Sequence, residues 1–420
     1  MEGKLGMTKQ LETNRSDYLV ATYYLETRDM NGDLYEYAKN IALDQSAGTW
    51  TEVSGETSEM MEKYGAKVVG VYETSTEDTN SCIAQIAYPK INFPPEIPMI
   101  LTTIIGNVAA QKGVKLLDVD IPDSFLEEMP GPILGVKGIR ELLDAPERPL
   151  IGAILKPCIG VEPEVSAEGA AAAAAGGVDV IKDDELLSEP EYSPMVKRVS
   201  TVMKYIKDLN MDKTVLYTVN ITGKNLLDRA ERAIEAGANA LMVNHFTLGW
   251  GIVEDLIQSL RNKGYKVPVL GHLAGAGAIY SSKTSGISAS LICGKLPRLL
   301  GLDMSLVYPN QGRFGFSTNE LIKIQSALTS EYKDVTKSLP MVAGGLHPGK
   351  VPYLVNLLGN DILLQAGGGI YGHPKDATAG AKAMLQASFA VQQGKSLESA
   401  AAENKELEQA INHWGVYNGE

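Results

Sequence analysis

The segment Val178-Asp179-Val180-Ile181-Lys182-Asp183-Asp184-Glu185 ends an apolar run in one lysine and three acids. Read as a strand, its side chains alternate in direction, so Lys182 and Asp184 project to the same side. Glu185 stands where the strand gives way to a loop and can turn to the same place. Two carboxylates at a strand end suit a hard cation, yet an ammonium between them would repel it. The conflict disappears if Lys182 takes up CO2 as a carbamate, which converts the cation into a third oxygen ligand. Mg2+ prefers octahedral oxygen coordination and keeps some of its waters, so three protein oxygens would leave positions for a substrate. A solvated charge cluster would present the same four residues, and only the surrounding elements separate the two readings.

Two glycine stretches could hold an anion: Gly344-Gly345, within Ala343-Gly344-Gly345-Leu346-His347, and Gly367-Gly368-Gly369. Glycines let the backbone approach a ligand and aim N–H groups at it, although a tight turn would use the same residues. Of the five histidines, His245, His272, His347 and His373 fall at or just after apolar runs, which suggests that they line one pocket. Lys156, in Leu155-Lys156-Pro157, is a candidate for proton transfer, since burial or a nearby dication can keep a lysine partly neutral. Cys158 beside it reads as a packed thiol.

These residues need a frame. From residue 148 onward, short apolar runs occur at Arg148–Leu155, Val178–Lys182, Thr214–Ile221, Ala240–Phe246, Val267–Leu273, Met304–Tyr308, Leu339–Ala343 and Asp361–Gln365. Between them lie segments of helical spacing: Glu162–Gly176, Tyr192–Leu209, Gly223–Ala236, Ile252–Lys263, Leu321–Ser330 and Thr378–Gln393. Eight buried strands alternating with helices predict a (β/α)8 barrel over residues 141–420, closed by a terminal helix at Leu397–His413. In such barrels the chemistry sits at the C-terminal strand ends, and phosphate commonly binds the loops after strands 7 and 8, where both glycine stretches fall. Residues 1–140 differ. Leu19–Tyr24, Lys67–Glu73 and Cys82–Tyr88 alternate like strands, while Asp33–Leu43 and Met99–Val108 are spaced like helices, which predicts a small α+β domain. Glu128-Met129-Pro130-Gly131-Pro132 marks the crossing.

With 420 residues, 44% of them hydrophobic and 21% charged, the chain can support two domains of ordinary globular composition. A net charge of −13 and the lack of any Lys/Arg-rich run argue against a nucleic-acid or anionic-membrane partner. An anionic substrate would have to be held locally, by backbone amides or a metal. Cys82, Cys158 and Cys293 are too scattered for a disulfide framework. No signal-peptide core or membrane span is apparent, so a cytoplasmic setting is expected.

Over nearly its whole length the sequence resembles the RuBisCO superfamily. The resemblance rests on Gly48-Thr49-Trp50, Gly106-Asn107-Val108, Gly131-Pro132, Leu155-Lys156-Pro157, Lys182-Asp183-Asp184-Glu185, Ala343-Gly344-Gly345-Leu346-His347 and Gln365-Ala366-Gly367-Gly368-Gly369. It implies a ferredoxin-like N-terminal domain, and a homodimer in which that domain of one subunit caps its neighbour's barrel, with further assembly left open. It implies Mg2+ held by carbamylated Lys182, Asp184 and Glu185. It implies proton handling by Lys156, substrate contacts from His272 and Asn107, and a phosphate site using Thr49, Trp50, Gly344, Gly345, Gly367 and Gly368.

The departures point away from carboxylation. Carboxylases carry Lys-Pro-Lys where this chain has Lys156-Pro157-Cys158, and a His-Arg pair where it has His272-Leu273. Ala343 replaces a serine, and Asp44 replaces a glutamate. The loop after barrel strand 6 places Arg313 near the usual lysine, a rigid guanidinium fork for a point charge. A RuBisCO-like, non-carboxylating enzyme acting on a substrate with a single phosphate is therefore expected. The leading expectation is decarboxylation of a 3-oxo-isoapionate-4-phosphate-like compound, with Arg313 gripping the departing carboxylate. The alternatives are a ketose-phosphate isomerase or enolase of methionine salvage and a non-catalytic binding protein. Asn107 argues against the salvage enolase, which usually carries a lysine base there.

Overall fold

The computed structural model describes residues 15–49, 51, 53–310, 315–417 and 419, which form two compact units. The first contains the chain up to Met129 together with Gly275–Leu299; the second contains Pro130–Ala274 and the chain from Leu300 onward.

The first unit is built on strands β1 (Tyr18–Thr27), β2 (Lys67–Glu73), β3 (Asn80–Pro89) and β4 (Val114–Asp120). They pair antiparallel in the order β4-β1-β3-β2, with helices Leu34–Asp44 and Ile97–Ile105 in the connections, which is the ferredoxin-like arrangement. Strict alternation along β1 buries Leu19, Ala21, Tyr23 and Leu25. β4 escapes a reading by alternation because its pairing with β1 slips between Thr22 and Tyr23. The helix expected over 99–108 ends at Ile105. Gly106 leaves helical geometry (φ −43°, ψ −103°), and a Cβ there would strike the Thr102 carbonyl oxygen.

The second unit is a closed parallel barrel of β5 (Leu150–Ile154), β6 (Val180–Lys182), β7 (Leu216–Asn220), β8 (Ala240–Asn244), β9 (Val269–His272), β11 (Met304–Val307), β12 (Leu339–Ala343) and β13 (Leu363–Ala366). The intervening β10 (Gly286–Ile287) instead extends the sheet of the first unit, parallel to β4. Each predicted barrel strand is present, and all lie within their predicted runs except β13, which extends one residue beyond Gln365 to Ala366. Every barrel-strand residue except Ile154 is buried, most of them Ile, Leu, Val or Ala, which matches strands covered on both faces. Helix Pro163–Ala175 stops at Gly176-Gly177, and Gly177 (φ +95°) turns the chain back into β6. The predicted terminal helix is two helices, Leu397–Glu403 and Lys405–Trp414. Asn404 separates them in extended conformation, its side-chain amide donating to the Ala400 carbonyl at 2.8 Å. No helix among the described residues is long and apolar enough to cross a membrane.

Candidate active site

Register brings the chemistry together. Ile154 of β5 pairs with Lys182 of β6, and Leu155 N–H donates to the Lys182 carbonyl, so Lys156 emerges beside the end of β6. Lys156 Nζ donates to Asp184 Oδ2 at 2.8 Å and lies 2.9 Å from Cys158 Sγ. Burial alone would lower the Lys156 pKa, but its bonds to Asp184 and Cys158 outweigh burial and raise it. Gly367, just beyond β13, makes the room: a Cβ there would fall 2.8 Å from Lys156 Cε.

Lys182 is fully buried inside the barrel. Its Nζ donates to the Asp183 carbonyl at 2.8 Å and to Glu185 Oε2 at 3.3 Å, with Met242 Sδ of β8 at 3.7 Å. Burial lowers its pKa, against the opposing pull of Glu185 and Asp184. His272, at the end of β9, brings Nε2 to 3.4 Å from Glu185 Oε2. Its Nδ1 accepts from Ala274 N–H at 3.2 Å, so the neutral ring carries its proton on Nε2, facing the glutamate. Burial, reinforced by the Lys182 charge, pushes the His272 pKa down to about 4.

Alternation sends Asp183 the opposite way. It binds Arg198 of helix Met195–Asp208 at 3.1 Å, the Tyr217 hydroxyl at 2.5 Å and Asn220 N–H at 3.2 Å, all buried. This anchor fixes Lys182 and Asp184, the residues on either side of it. A second support, which the sequence reading missed, comes from Asn220 and Asn244, the last residues of β7 and β8. Asn220 Nδ2 donates to the Glu185 carbonyl at 2.9 Å, and Asn244 Nδ2 reaches the same oxygen at 3.5 Å. The matching endings Val219-Asn220 and Val243-Asn244 were the available signal.

Lys156, Lys182, Asp184, Glu185 and His272 thus converge, while the other histidines do not join them. His373 Nε2 contacts the Glu406 carbonyl at 3.0 Å and its ring lies against Trp414, so it ties the barrel to its terminal helix. His245 packs on Trp250, and His347 lies against Trp414. The expected common histidine pocket is therefore replaced by a single histidine, His272. Gly344 (φ +123°) and Gly345 (φ +62°) turn exposed backbone outward after β12. Their amides donate no hydrogen bond to another described residue. Gly368 has no heavy atom of a described residue within 4 Å of where a Cβ would lie. Thr49 and Asn107 belong to the first unit, Asn107 opening the short turn after Gly106. Trp50 and Arg313 lie outside the described residues.

Among the described residues, no three His, Cys, Asp or Glu side chains group to hold a metal. The donor set does fit a divalent cation once Lys182 counts as an oxygen ligand. Its buried amine already lies within hydrogen-bond reach of Glu185, and Asp184 and Glu185 supply the other two carboxylates.

Residues 135–308 and 319–414 match the family of the ribulose bisphosphate carboxylase large chain, catalytic domain, and residues 7–125 match its N-terminal domain. A ribulose bisphosphate carboxylase-like protein of Archaeoglobus fulgidus is 38% identical, over 94% of this chain and 92% of its own. A 2,3-diketo-5-methylthiopentyl-1-phosphate enolase of Geobacillus kaustophilus is 36% identical, over 95% of this chain and 98% of its own. Among solved structures, a rubisco-like protein of Alicyclobacillus acidocaldarius superposes with a TM-score of 0.87 at 33% identity, covering 95% of this chain and all of that one. The octameric Rubisco of Pyrococcus horikoshii gives 0.88 at 30% identity, over 96% of this chain and 95% of that one. With both domain families matched in order and relatives above 30% identity along nearly the whole chain, this protein belongs to the RuBisCO large-chain family, alongside RuBisCO-like relatives.

Proposed function

We propose that the barrel enolises a phosphorylated keto compound of the 2,3-diketo-5-methylthiopentyl-1-phosphate type, the activity named for several relatives. The observation that carries this reading is the cluster at the ends of β5, β6 and β9. A proton-bearing lysine, two carboxylates and a buried amine meet there within hydrogen-bond distance. Carbamylated Lys182, Asp184 and Glu185 would hold Mg2+, which supplies Lewis-acid polarisation of a carbonyl and stabilises negative charge on its oxygen.

The remaining work belongs to the chain's own side chains. Lys156 Nζ would exchange the proton with the substrate carbon once a cation on Asp184 removes the bond that raises its pKa, its course set by the space at Gly367. His272 presents Nε2–H as a donor to a substrate oxygen. The turns at Gly344-Gly345 and Gly367-Gly368 seat the phosphate through backbone amides. Asn107 and Thr49 act from the first unit of a second copy in a homodimer, as the family resemblance implies, with Trp50 beside them.

The comparisons favour this reading over the decarboxylation expected from the sequence. One observation keeps decarboxylation as a second reading: Asn107 stands where salvage enolases usually carry a lysine. Incubation with Mg2+, bicarbonate and each candidate substrate in D2O separates them. Deuterium incorporation without CO2 release is expected. CO2 release from a 3-oxo sugar-acid phosphate would replace the enolase reading, and inertness toward both substrates, with no Mg2+ uptake in calorimetry, would favour a binding protein.

A further inference from the structure

The turn that follows the β12 glycines holds a charge with no counterpart among the described residues. Pro348–Lys350 forms a short 3-10 turn in which Lys350 N–H donates to the His347 carbonyl at 3.0 Å. The turn is pinned from the C-terminal side by Tyr417 N–H, which donates to the Gly349 carbonyl at 3.0 Å. Gly349 itself is packed so closely on Gly415 that no side chain would fit. The backbone under Lys350 is therefore fixed. Its Nζ lies 3.8 Å from the position that a Cβ on Gly345 would occupy.

Lys156, Lys182 and Lys213 of the same unit each pair with a carboxylate, at 2.8, 3.3 and 3.3 Å. Lys350 is half-buried and has no carboxylate partner among the described residues; burial lowers its pKa. Beside it, His347 Nδ1 is shielded from solvent with no hydrogen-bond partner among those residues. A partly desolvated, unpaired cation is unfavourable unless something negative joins it. Close to it is the exposed Gly345, whose amide, like that of Gly344, donates to no described residue. A chain carrying a net charge of −13 needs such a local cation to draw in an anion.

We propose that Lys350 supplies the positive charge for the phosphate seated on the Gly344-Gly345 turn, and so sets affinity for phosphorylated substrates. The inference rests on reading these glycine turns as the phosphate seat. The ammonium is a point charge with rotatable donors, suited to one phosphate oxygen while the amides take others. Calorimetric titration of the full-length protein with inorganic phosphate tests it, comparing wild type with Lys350→Met, Lys350→Arg and Gly368→Ala. The methionine variant is expected to bind phosphate about tenfold or more weakly, the loss of a charged hydrogen bond. Its melting temperature without phosphate should not fall, because no folded-state pair is broken. The arginine variant is expected to stay within several-fold of wild type. Gly368→Ala adds a methyl where no atom of a described residue lies within 4 Å, so weakened binding there reports the ligand and not a clash. If Lys350→Met binds as wild type does while Gly368→Ala loses binding, the role of Lys350 is overturned and the phosphate seat stands. If wild type takes up no phosphate, or no variant differs from it, both fall.

Discussion

Asp183 turns toward Arg198 of helix Met195–Asp208 and Tyr217 of β7, which bind it, while Asp184 turns into the mouth of the barrel toward Lys156. Mutation should separate these neighbours. Asp183→Ala strands the buried Arg198 guanidinium and is expected to cost about 3–5 kcal/mol, read by urea unfolding. Asp184→Asn should keep stability within about 1 kcal/mol, the worth of an ordinary hydrogen bond, yet abolish Mg2+ uptake. Lys156→Met should slow deuterium exchange into the substrate by about 10²- to 10⁴-fold, the usual contribution of a positioned acid–base group. Exchange at the wild-type rate in that variant would move the proton step to another residue. Lys182, Asp183 and Asp184 were legible because strand alternation decides which of them share a face, whereas Glu185 joins the site through the turn that follows β6. Asn220 and Asn244 were not, since asparagine at a strand end is also an ordinary turn residue, and their role appears only once β7 and β8 stand beside Glu185.

Elements set how well those residues can be aimed. Lys156 stands on the β5 end, but its course is limited by the loop after β13, where Gly367 leaves it space. Gly367→Ala should therefore push Lys156 aside, lowering kcat by an order of magnitude or more while the melting temperature changes little; positional errors of this kind are costly in catalysis. An unchanged kcat would mean that Lys156 is not positioned from β13. The eight barrel strands could be read because each is a short apolar run covered on both faces and bounded by a turn. The misses have other causes. β4 lost its periodicity where its pairing with β1 slips, β10 is only two residues long, and the break at Asn404 depends on a side chain competing with the backbone.

At the scale of the molecule, the segment Gly275–Leu299 leaves the barrel to join the first unit, which no local pattern announces because the β10–β4 pairing that ties it there is a contact between distant parts of the chain. Acid should weaken the fold in part through His347, whose pKa burial and then the charge of Lys350 push down to about 4. Below about pH 6.5 the unfolded chain binds a proton that the folded chain refuses, so this contribution is present above that pH and is lost as pH falls toward 4. Melting curves of wild type and His347→Gln should therefore converge or cross between those values, and parallel curves would remove His347 from the acid response. The proposed chemistry depends on Lys182 becoming an anionic ligand. Carbon-13 NMR of the protein in labelled bicarbonate, with and without Mg2+, tests this directly in wild type and Lys182→Met. A carbamate resonance that Mg2+ strengthens and that the methionine variant lacks is the expected result; a silent spectrum at saturating CO2 and Mg2+ would contradict it.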